Sequence, residues 1–110
     1  MRVHLIRKET IEDFSRNNTG SRASLKDWLS KLNYADWLAP EDIQSTFNSA
    51  DLLGQGTDRV VFDIGGNNYR IICKYYFGTS KVHIYIKWIG THAAYSKLCR
   101  KGAQYIVDEY

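Results

Sequence analysis

The chain has 110 residues, of which 44% are hydrophobic and 25% are charged, and its formal net charge is +3. A chain of this length can bury one modest core, so we expect a single domain over residues 1–110. No apolar run approaches the roughly 18 residues of a membrane-spanning helix. The first residues also lack the apolar stretch of a signal peptide, so we expect a cytoplasmic protein without membrane contact.

The first half of the chain predicts a short strand followed by three helices. The strand candidate covers residues 3–6, and a first helix follows over residues 7–18. A second helix is predicted over residues 22–38, with Ser21 as its N-cap. Pro40 begins a third, short helix over residues 40–47. The second helix carries one apolar stripe at helical spacing, formed by Leu25, Trp28, Leu29 and Leu32.

The second half changes to a two-residue period and predicts three strands. These are the segments "RVVFDIGG", "NYRIICKYYFG" and "KVHIYIKWIG", which are joined by short turns rich in Gly and Asn. The segment "THAAYSKLCRK" predicts a short helix with Thr91 as its N-cap, and the tail after it predicts a strand or a loop. The expected fold is therefore α+β, with an N-terminal strand and helices packed on one face of a mainly antiparallel sheet. Its other face should be open, because no crossover helix lies between the three strands.

Positive charge is concentrated in the predicted sheet. Residues 67–101 contain seven basic side chains and no acidic one, whereas residues 1–56 contain seven basic and eight acidic side chains. Unpaired cations cannot be buried under helices without a large penalty, so the basic sides of both strands should share the open face. The apolar sides, including Ile71, Cys73, Val82, Ile84, Ile86 and Trp88, should face the helices. The open face then carries Arg70, Lys74, Tyr76, Lys81, His83, Tyr85 and Lys87.

Cations interleaved with aromatic rings suit single-stranded nucleic acid, since cations bind phosphates and bases stack on rings. An ordinary polar sheet face is the alternative, although such a face normally mixes both signs of charge. Gly90 should let the chain turn so that His92 and Tyr95, three residues apart on the last helix, stand at the rim of this face. The three histidines are scattered and no cysteine pair accompanies them, so we predict no metal site and no cofactor.

Two motifs in this region resemble a known family. "VVFDIGGNNYRIICKYYF" and "VHIYIKWIGTHAAYSKL" are similar to the HigB family of bacterial toxins, within the RelE-like messenger-RNA interferase superfamily. The shared pattern includes isoleucine-glycine-glycine-asparagine, then tyrosine-arginine, and later glycine-threonine-histidine with a tyrosine three residues after the histidine. The match covers residues 60–98 closely. Acidic residues that the family often carries after the histidine are absent from "AAYS", and the tail from Arg100 onward differs from the family's usual ending.

The resemblance implies a small α+β toxin that cleaves messenger RNA, commonly on the ribosome, without a metal ion. It also implies a helix-turn-helix antitoxin, HigA-like, that forms a hetero-oligomer with the toxin and alone contacts operator DNA. The residues matching the motif are Arg70, His92 and Tyr95, and these become the catalytic candidates. Lys74 and Lys87 match by type and strand only.

Metal-free RNA cleavage requires a base for the 2′-hydroxyl, a cation for the charged transition state, and an acid for the leaving oxygen. We expect Arg70 to stabilise the transition state, His92 to transfer a proton, and Tyr95 to orient or stack on a base. The identity of the base is left open, because a lysine with a lowered pKa could also serve. Two other functions fit the same basic face: a non-catalytic RNA-binding module, and a domain that binds an acidic protein segment.

Overall fold

The structure is a computed structural model and describes residues 1–110. It contains one sheet, four α-helices and two short 3₁₀ turns, the turns at Thr19–Ser21 and Ala103–Tyr105. In chain order, the strands and helices are β1 (Arg2–Ile6), α1 (Lys8–Asn17), α2 (Arg22–Tyr34), α3 (Glu41–Thr46), β2 (Asp51–Leu52), β3 (Arg59–Ile64), β4 (Tyr69–Phe77), β5 (Lys81–Thr91) and α4 (His92–Arg100).

The sheet has the strand order β1-β5-β4-β3-β2. The meander of β3, β4 and β5 is antiparallel, as predicted, and so is the pairing of β2 with β3. β1 lies parallel to β5, with Arg2 opposite Lys81 and Ile6 opposite Tyr85. The predicted α+β class and the mainly antiparallel sheet are confirmed, while the two-residue strand β2 was not predicted.

The helices of the first half cover one face of the sheet, which we call the helix face. The apolar stripe of α2 packs there, and Trp28 is only 2% exposed. Its sheet partners are the predicted ones, namely Ile71, Cys73, Val82, Ile84 and Ile86. The expected contact between α2 and the apolar side of the strands is confirmed, and it supplies the main core.

One residue of the last strand departs from simple alternation. Ile72 pairs with Trp88, but the next residue, Cys73, pairs with Ile86, so β5 holds one extra residue, Lys87. Such a β-bulge reverses the alternation of side chains beyond it. Trp88 therefore leaves the side of Ile86 and packs in a separate cluster on the opposite face. The prediction that Trp88 faces the helices is wrong for this reason.

The second face of the sheet, which we call the outer face, is open only in part. Val61, Ile72 and Trp88 form a small apolar cluster there. Leu98 of α4 and Val107 of the tail pack against it. Apolar side chains on this face draw the last helix and the tail over the middle of the sheet, which the prediction of an open face did not anticipate.

The predicted turn at Gly90 is not present, because β5 continues through Thr91. The glycine serves a different purpose. A Cβ at this position would lie 2.6 Å from both Cη2 and Cζ2 of Trp88, so the missing side chain makes room for the indole. The chain turns instead into α4, where Thr91 accepts a hydrogen bond from the N–H of Ala94 as the predicted N-cap.

The helix boundaries of the first half differ in detail from the prediction. α2 ends at Tyr34 because Ala35 is extended and Trp37 is buried, with its indole N–H donating to the hydroxyl of Thr46 at 2.9 Å. Ser21 precedes α2, but its hydroxyl donates to the carbonyl of Asn18 and does not cap the helix.

None of the helices has the length and apolar character needed to cross a bilayer.

Candidate active site

Arg70 lies on the outer face of β4 and is only 7% exposed. Its Nε forms an ion pair with Asp63 across the β3–β4 hairpin, 3.0 Å from Oδ1. One terminal nitrogen donates to the carbonyl of Tyr69 at 3.0 Å, and the other donates to Asn67 Oδ1 at 2.7 Å. Arg70 is therefore a fixed side chain within a polar cluster and not a free cation on an open surface.

The hairpin between β3 and β4 creates this arrangement. Gly65 and Gly66 both have positive φ angles, of 63° and 66°, which are favourable only for glycine. The turn they form places Asp63 directly opposite Arg70 in the antiparallel register. Each terminal nitrogen of Arg70 uses one N–H group here, so one N–H on each terminal nitrogen has no protein acceptor.

Tyr95 covers the guanidinium from α4. The carbon centre of the Arg70 guanidinium lies 5.9 Å from the centroid of the Tyr95 ring, within cation–π range. The same ring contacts Trp88, with centroids 6.1 Å apart. Burial raises the pKa of the Tyr95 phenol, and the neighbouring Cys99 thiol raises it further. The phenol is therefore protonated at neutral pH and can donate a hydrogen bond.

His92 is exposed and is the first residue of α4. Its backbone N–H donates to the carbonyl of Asn68 at 2.9 Å, which ties the start of the helix to the β3–β4 turn. The preceding residue, Thr91, lies opposite Tyr69, which is next to Arg70. The fold thus brings His92 to the same end of the sheet as Arg70 and Tyr95.

The aromatic side chains of the predicted RNA-binding set form a row on the outer face. Tyr76 is 60% exposed, and its ring stacks on that of His83, with centroids 6.0 Å apart and an interplanar angle of 30°. The ring of Tyr85 lies 6.5 Å from that of His83 on the other side. His4 of β1 extends the row with an edge contact to His83 at 6.1 Å. The sequence analysis did not select His4, although strand alternation places it on this face once β1 pairs with β5.

This aromatic row is far from the His92 end of the sheet. Thr91 lies eight positions after His83 on β5, which corresponds to about 26 Å at the usual rise of a strand. One nucleotide cannot contact both places. The predicted site residues therefore form two groups along one face, joined by the middle of the sheet.

The three predicted lysines differ in their surroundings. Lys74 is exposed and lies opposite Tyr85, between the two groups. Lys81 is exposed at the start of β5. Lys87 is the residue of the bulge, and its Nζ lies 3.2 Å from Asp108 Oδ1 of the tail. Lys87 is thus covered by the tail, although the sequence placed it on an open surface.

Sequence reasoning missed the acidic partners of this face. The strands β4 and β5 carry no carboxylate, but Asp63 on β3 and Asp108 in the tail supply one each. Counting residues back from the Gly-Asn turn would have placed Asp63 opposite Arg70. A further cation, Arg59, lies opposite Lys74 and is 7% exposed. Burial lowers the pKa of Arg59, and the charge of Asp108 acts in the opposite direction.

The largest concavity is elsewhere and contains none of the predicted site residues. It has a volume of about 590 Å³ and lies on the helix side, lined by side chains such as Asp27, Trp28 and Phe47. Ligand sites in small domains are often concave, but a sheet face that binds an extended strand of RNA does not need a deep pocket.

No three His, Cys, Asp or Glu side chains converge as they do around a metal ion.

Comparison with known proteins assigns the sequence of this chain to a family. Residues 21–98 match the model of the HigB toxin family, described as the RelE-like toxic component of a toxin–antitoxin system. The chain belongs to the HigB toxin family. The family match begins at the N-terminus of α2 and ends within α4, so it contains Arg70, His92 and Tyr95 but not the tail.

Two relatives of this HigB-family chain cover most of its length. The mRNA interferase HigB of Escherichia coli O6:H1 is 29% identical over 98 residues, which are 89% of this chain and 93% of the relative. The mRNA interferase toxin HigB of Escherichia coli K12 is 25% identical over 93 residues, which are 84% of this chain and 88% of the relative. The resemblance inferred from residues 60–98 is thereby confirmed and extended over the helices. Membership in a toxin–antitoxin family implies an antitoxin partner.

Proposed function

We propose that residues 1–110 form one toxin domain that cleaves messenger RNA on the translating ribosome without a metal ion, and so arrests translation and growth in the cytoplasm. The relatives named mRNA interferase support the substrate and the reaction. The observation that carries the proposal is the meeting of His92, Arg70 and Tyr95 at one end of a basic sheet. An exposed imidazole lies at the same end of the sheet as a fixed guanidinium with two unused N–H groups.

Cleavage without a metal uses the 2′-hydroxyl next to the scissile phosphate as nucleophile. The negative charge that develops on the phosphate is stabilised by donors already in place. Arg70 fits this role, because its unused N–H groups sit on two different nitrogens and can bind two phosphate oxygens. Asp63 and Asn67 hold the guanidinium in position for it. Tyr95 covers one face of the guanidinium, so a phosphate meets its edge, where the free N–H groups point.

His92 is the proton-transfer group in this proposal. An imidazole exchanges protons near neutral pH, and an exposed one at the rim of the face can reach the sugar or the leaving oxygen. Tyr95 stays protonated, because burial raises its pKa, so it donates a hydrogen bond or stacks on a base and does not act as a base. Lys74 is exposed on the strand that carries Arg70 and is available to bind a phosphate.

The rest of the outer face binds RNA on one side of the cleaved bond. Tyr76, His83 and Tyr85 offer stacking surfaces, and Lys81 lies at the same end of β5. Stacking on aromatic rings tolerates any base, so this part supplies affinity with little sequence preference. The distance of about 26 Å to the His92 end implies contact with several nucleotides.

The test compares variants of the end cluster in purified form. RNA is incubated with the wild-type protein, His92→Ala, Arg70→Ala and Arg70→Lys, in chelator, with and without translating ribosomes. We expect His92→Ala to lose about 10²–10⁴ in rate. Arg70→Lys should also fail, because a lysine keeps the charge but not the two-pronged donor. Wild-type rates in a folded Arg70→Ala, His92→Ala double variant would rule out this assignment of the site.

A non-catalytic RNA-binding module is the second candidate, and the exposed aromatic row favours it as the alternative. It predicts that the wild-type protein binds RNA and ribosomes but leaves the RNA intact in every condition of the same experiment. A protein-binding domain predicts neither binding nor cleavage of RNA.

The proposed antitoxin is a HigA-like helix-turn-helix protein. Repressors of this type bind DNA as dimers, so the complex should be a hetero-oligomer that contacts operator DNA only through the antitoxin. Co-expression with such a protein should give a stable complex and relieve growth arrest. A toxin that purifies alone and still arrests growth during co-expression would contradict this partner.

A further inference from the structure

The tail after α4 lies across the middle of the outer face. Val107 packs against the cluster of Val61, Ile72 and Trp88. The backbone N–H of Glu109 donates to the carbonyl of Lys87 at 2.9 Å. Lys87 is the bulge residue and has no partner residue on β4, and β1 pairs with β5 only as far as Tyr85. The tail thus attaches to the sheet at an irregularity of β5.

The tail covers two cations of the outer face. Arg59 donates from Nη1 to the carbonyl of Gln104 at 3.2 Å and has no carboxylate within salt-bridge distance. Lys87 pairs with Asp108, and its side chain is 19% exposed. Lys74 lies between them, because it is opposite both Arg59 on β3 and Tyr85 on β5. Of these three cations on three adjacent strands, only Lys87 has a carboxylate at contact distance.

The ion pair that holds the acidic part of the tail is weak. Asp108 is 61% exposed, and pairs that involve so exposed a carboxylate contribute little. A strand of RNA could offer a phosphate to each of the three cations, whereas the tail offers one carboxylate and one backbone carbonyl. The exposed rings of Tyr76 and Tyr85 on the same face favour RNA over an acidic peptide as the competing ligand.

We propose that Arg59, Lys74 and Lys87 form a phosphate-binding site for RNA, and that the segment Gln104–Glu109 occupies this site in the free protein until RNA displaces it. This inference rests on the proposed RNA-cleaving function and adds Arg59 to the RNA-binding residues. It also assigns a role to the tail, which lies beyond the C-terminal end of the family match. The carboxylate of Asp108 stands where a phosphate group of the RNA would bind.

The first experiment removes the charge of the tail. Wild-type protein and Asp108→Asn are titrated with a short single-stranded 2′-O-methyl RNA, which binds but lacks the nucleophilic hydroxyl. Releasing a weak internal competitor should strengthen binding about two- to fivefold. The matched control is Asp27→Asn, which makes the same charge change in an exposed pair with Lys31 on α2. Equal affinities of Asp108→Asn and Asp27→Asn would refute the inference.

The gain should also depend on the cation beneath the tail. In a Lys87→Gln background, Asp108→Asn should no longer strengthen RNA binding relative to Lys87→Gln alone, because the released lysine is the group that binds the phosphate. A gain that persists in the double variant would show that Asp108 acts only through general repulsion of RNA.

A second measurement follows the tail itself. Hydrogen exchange of the Glu109 amide is slowed by its bond to Lys87, so addition of the 2′-O-methyl RNA to the wild-type protein should speed this exchange. Unchanged or slower exchange in the RNA complex would refute displacement of the tail.

Cleavage of unmodified RNA by the wild-type protein is measured in the same series. If that protein binds and cleaves RNA while Asp108→Asn behaves like Asp27→Asn, only the inference about the tail fails. If the wild-type protein neither binds nor cleaves RNA, the proposed function fails and the inference falls with it.

Discussion

Gly90→Ala should destabilise the protein, although most glycine-to-alanine changes in a strand would not. The new Cβ would lie 2.6 Å from two ring carbons of Trp88. Ordinary carbon contacts are about 3.5–4.0 Å, so the indole or the strand must move by about 1 Å. Trp88 is only 7% exposed and packs against Val61 and Ile72, so it has no free space to enter.

The magnitude follows from two opposing effects. Overpacking of a well-filled cluster costs about 1–3 kcal/mol. Alanine without steric conflict would stabilise the strand by about 0.5–1 kcal/mol, because the unfolded chain loses freedom and Gly90 has no positive φ angle. Subtracting the central value of the second effect from that of the first leaves a net loss of about 1 kcal/mol in the free energy of unfolding.

Urea unfolding followed by far-ultraviolet circular dichroism measures this loss without relying on tryptophan emission. The control is the same change in a Trp88→Leu background, where the smaller side chain leaves room for the Cβ and Gly90→Ala should be neutral or stabilising. The two backgrounds form a double-mutant cycle, in which the coupling energy is the difference between the effects of Gly90→Ala in each background. Independent sites usually differ by no more than about 0.5 kcal/mol, whereas here we expect a coupling of about 1 kcal/mol or more. A Gly90→Ala protein as stable as the wild type would show that the indole does not constrain this position.

Three other predictions concern the core, the RNA-binding face and the thiols. Trp28→Ala should lower the free energy of unfolding by about 3–5 kcal/mol, because the ring is buried between α2 and the sheet; a loss under 1 kcal/mol in urea unfolding would contradict the packing. Lys74→Ala should weaken binding of 2′-O-methyl RNA and make the slope of log affinity against log salt shallower by about 0.7, the value for one phosphate contact with a single strand; an unchanged slope would remove Lys74 from the interface. A thiol reagent should modify Cys99 well before Cys73 in the native protein, because burial raises the pKa of the Cys73 thiol and blocks access; equal rates would exclude that burial.

Alternation of side chains was enough to predict the helix face of the sheet. Ile71 and Cys73 on β4, and Val82 and Ile84 on β5, all lie where the two-residue period places them. The apolar stripe of α2 was equally informative, because helical spacing and burial agree along it. These signals are local, and each depends only on residues within one element.

The parts that could not be predicted depend on contacts between distant residues. An inserted residue such as Lys87 has no local signature, so the bulge and the reversal of Trp88 were missed. The tail was missed because Asp108 meets Lys87 across 21 residues of sequence. Strand alternation and helical spacing selected Arg70 and His92, and the family resemblance gave them their catalytic roles. The partner that fixes Arg70, Asp63, follows from the register of a hairpin.

The parallel pairing of β1 with β5 has a consequence for synthesis of the chain. Arg2 and Lys81 lie opposite each other, so the first strand made has no partner until the last strand has been translated. Contacts between such distant residues slow folding, because a long loop must close before they form. Until residues 81–91 leave the ribosome, β4 also presents a bare edge and α4 has no strand to start from. The end cluster of Arg70, His92 and Tyr95 can therefore assemble only after β5 and the start of α4 have been translated.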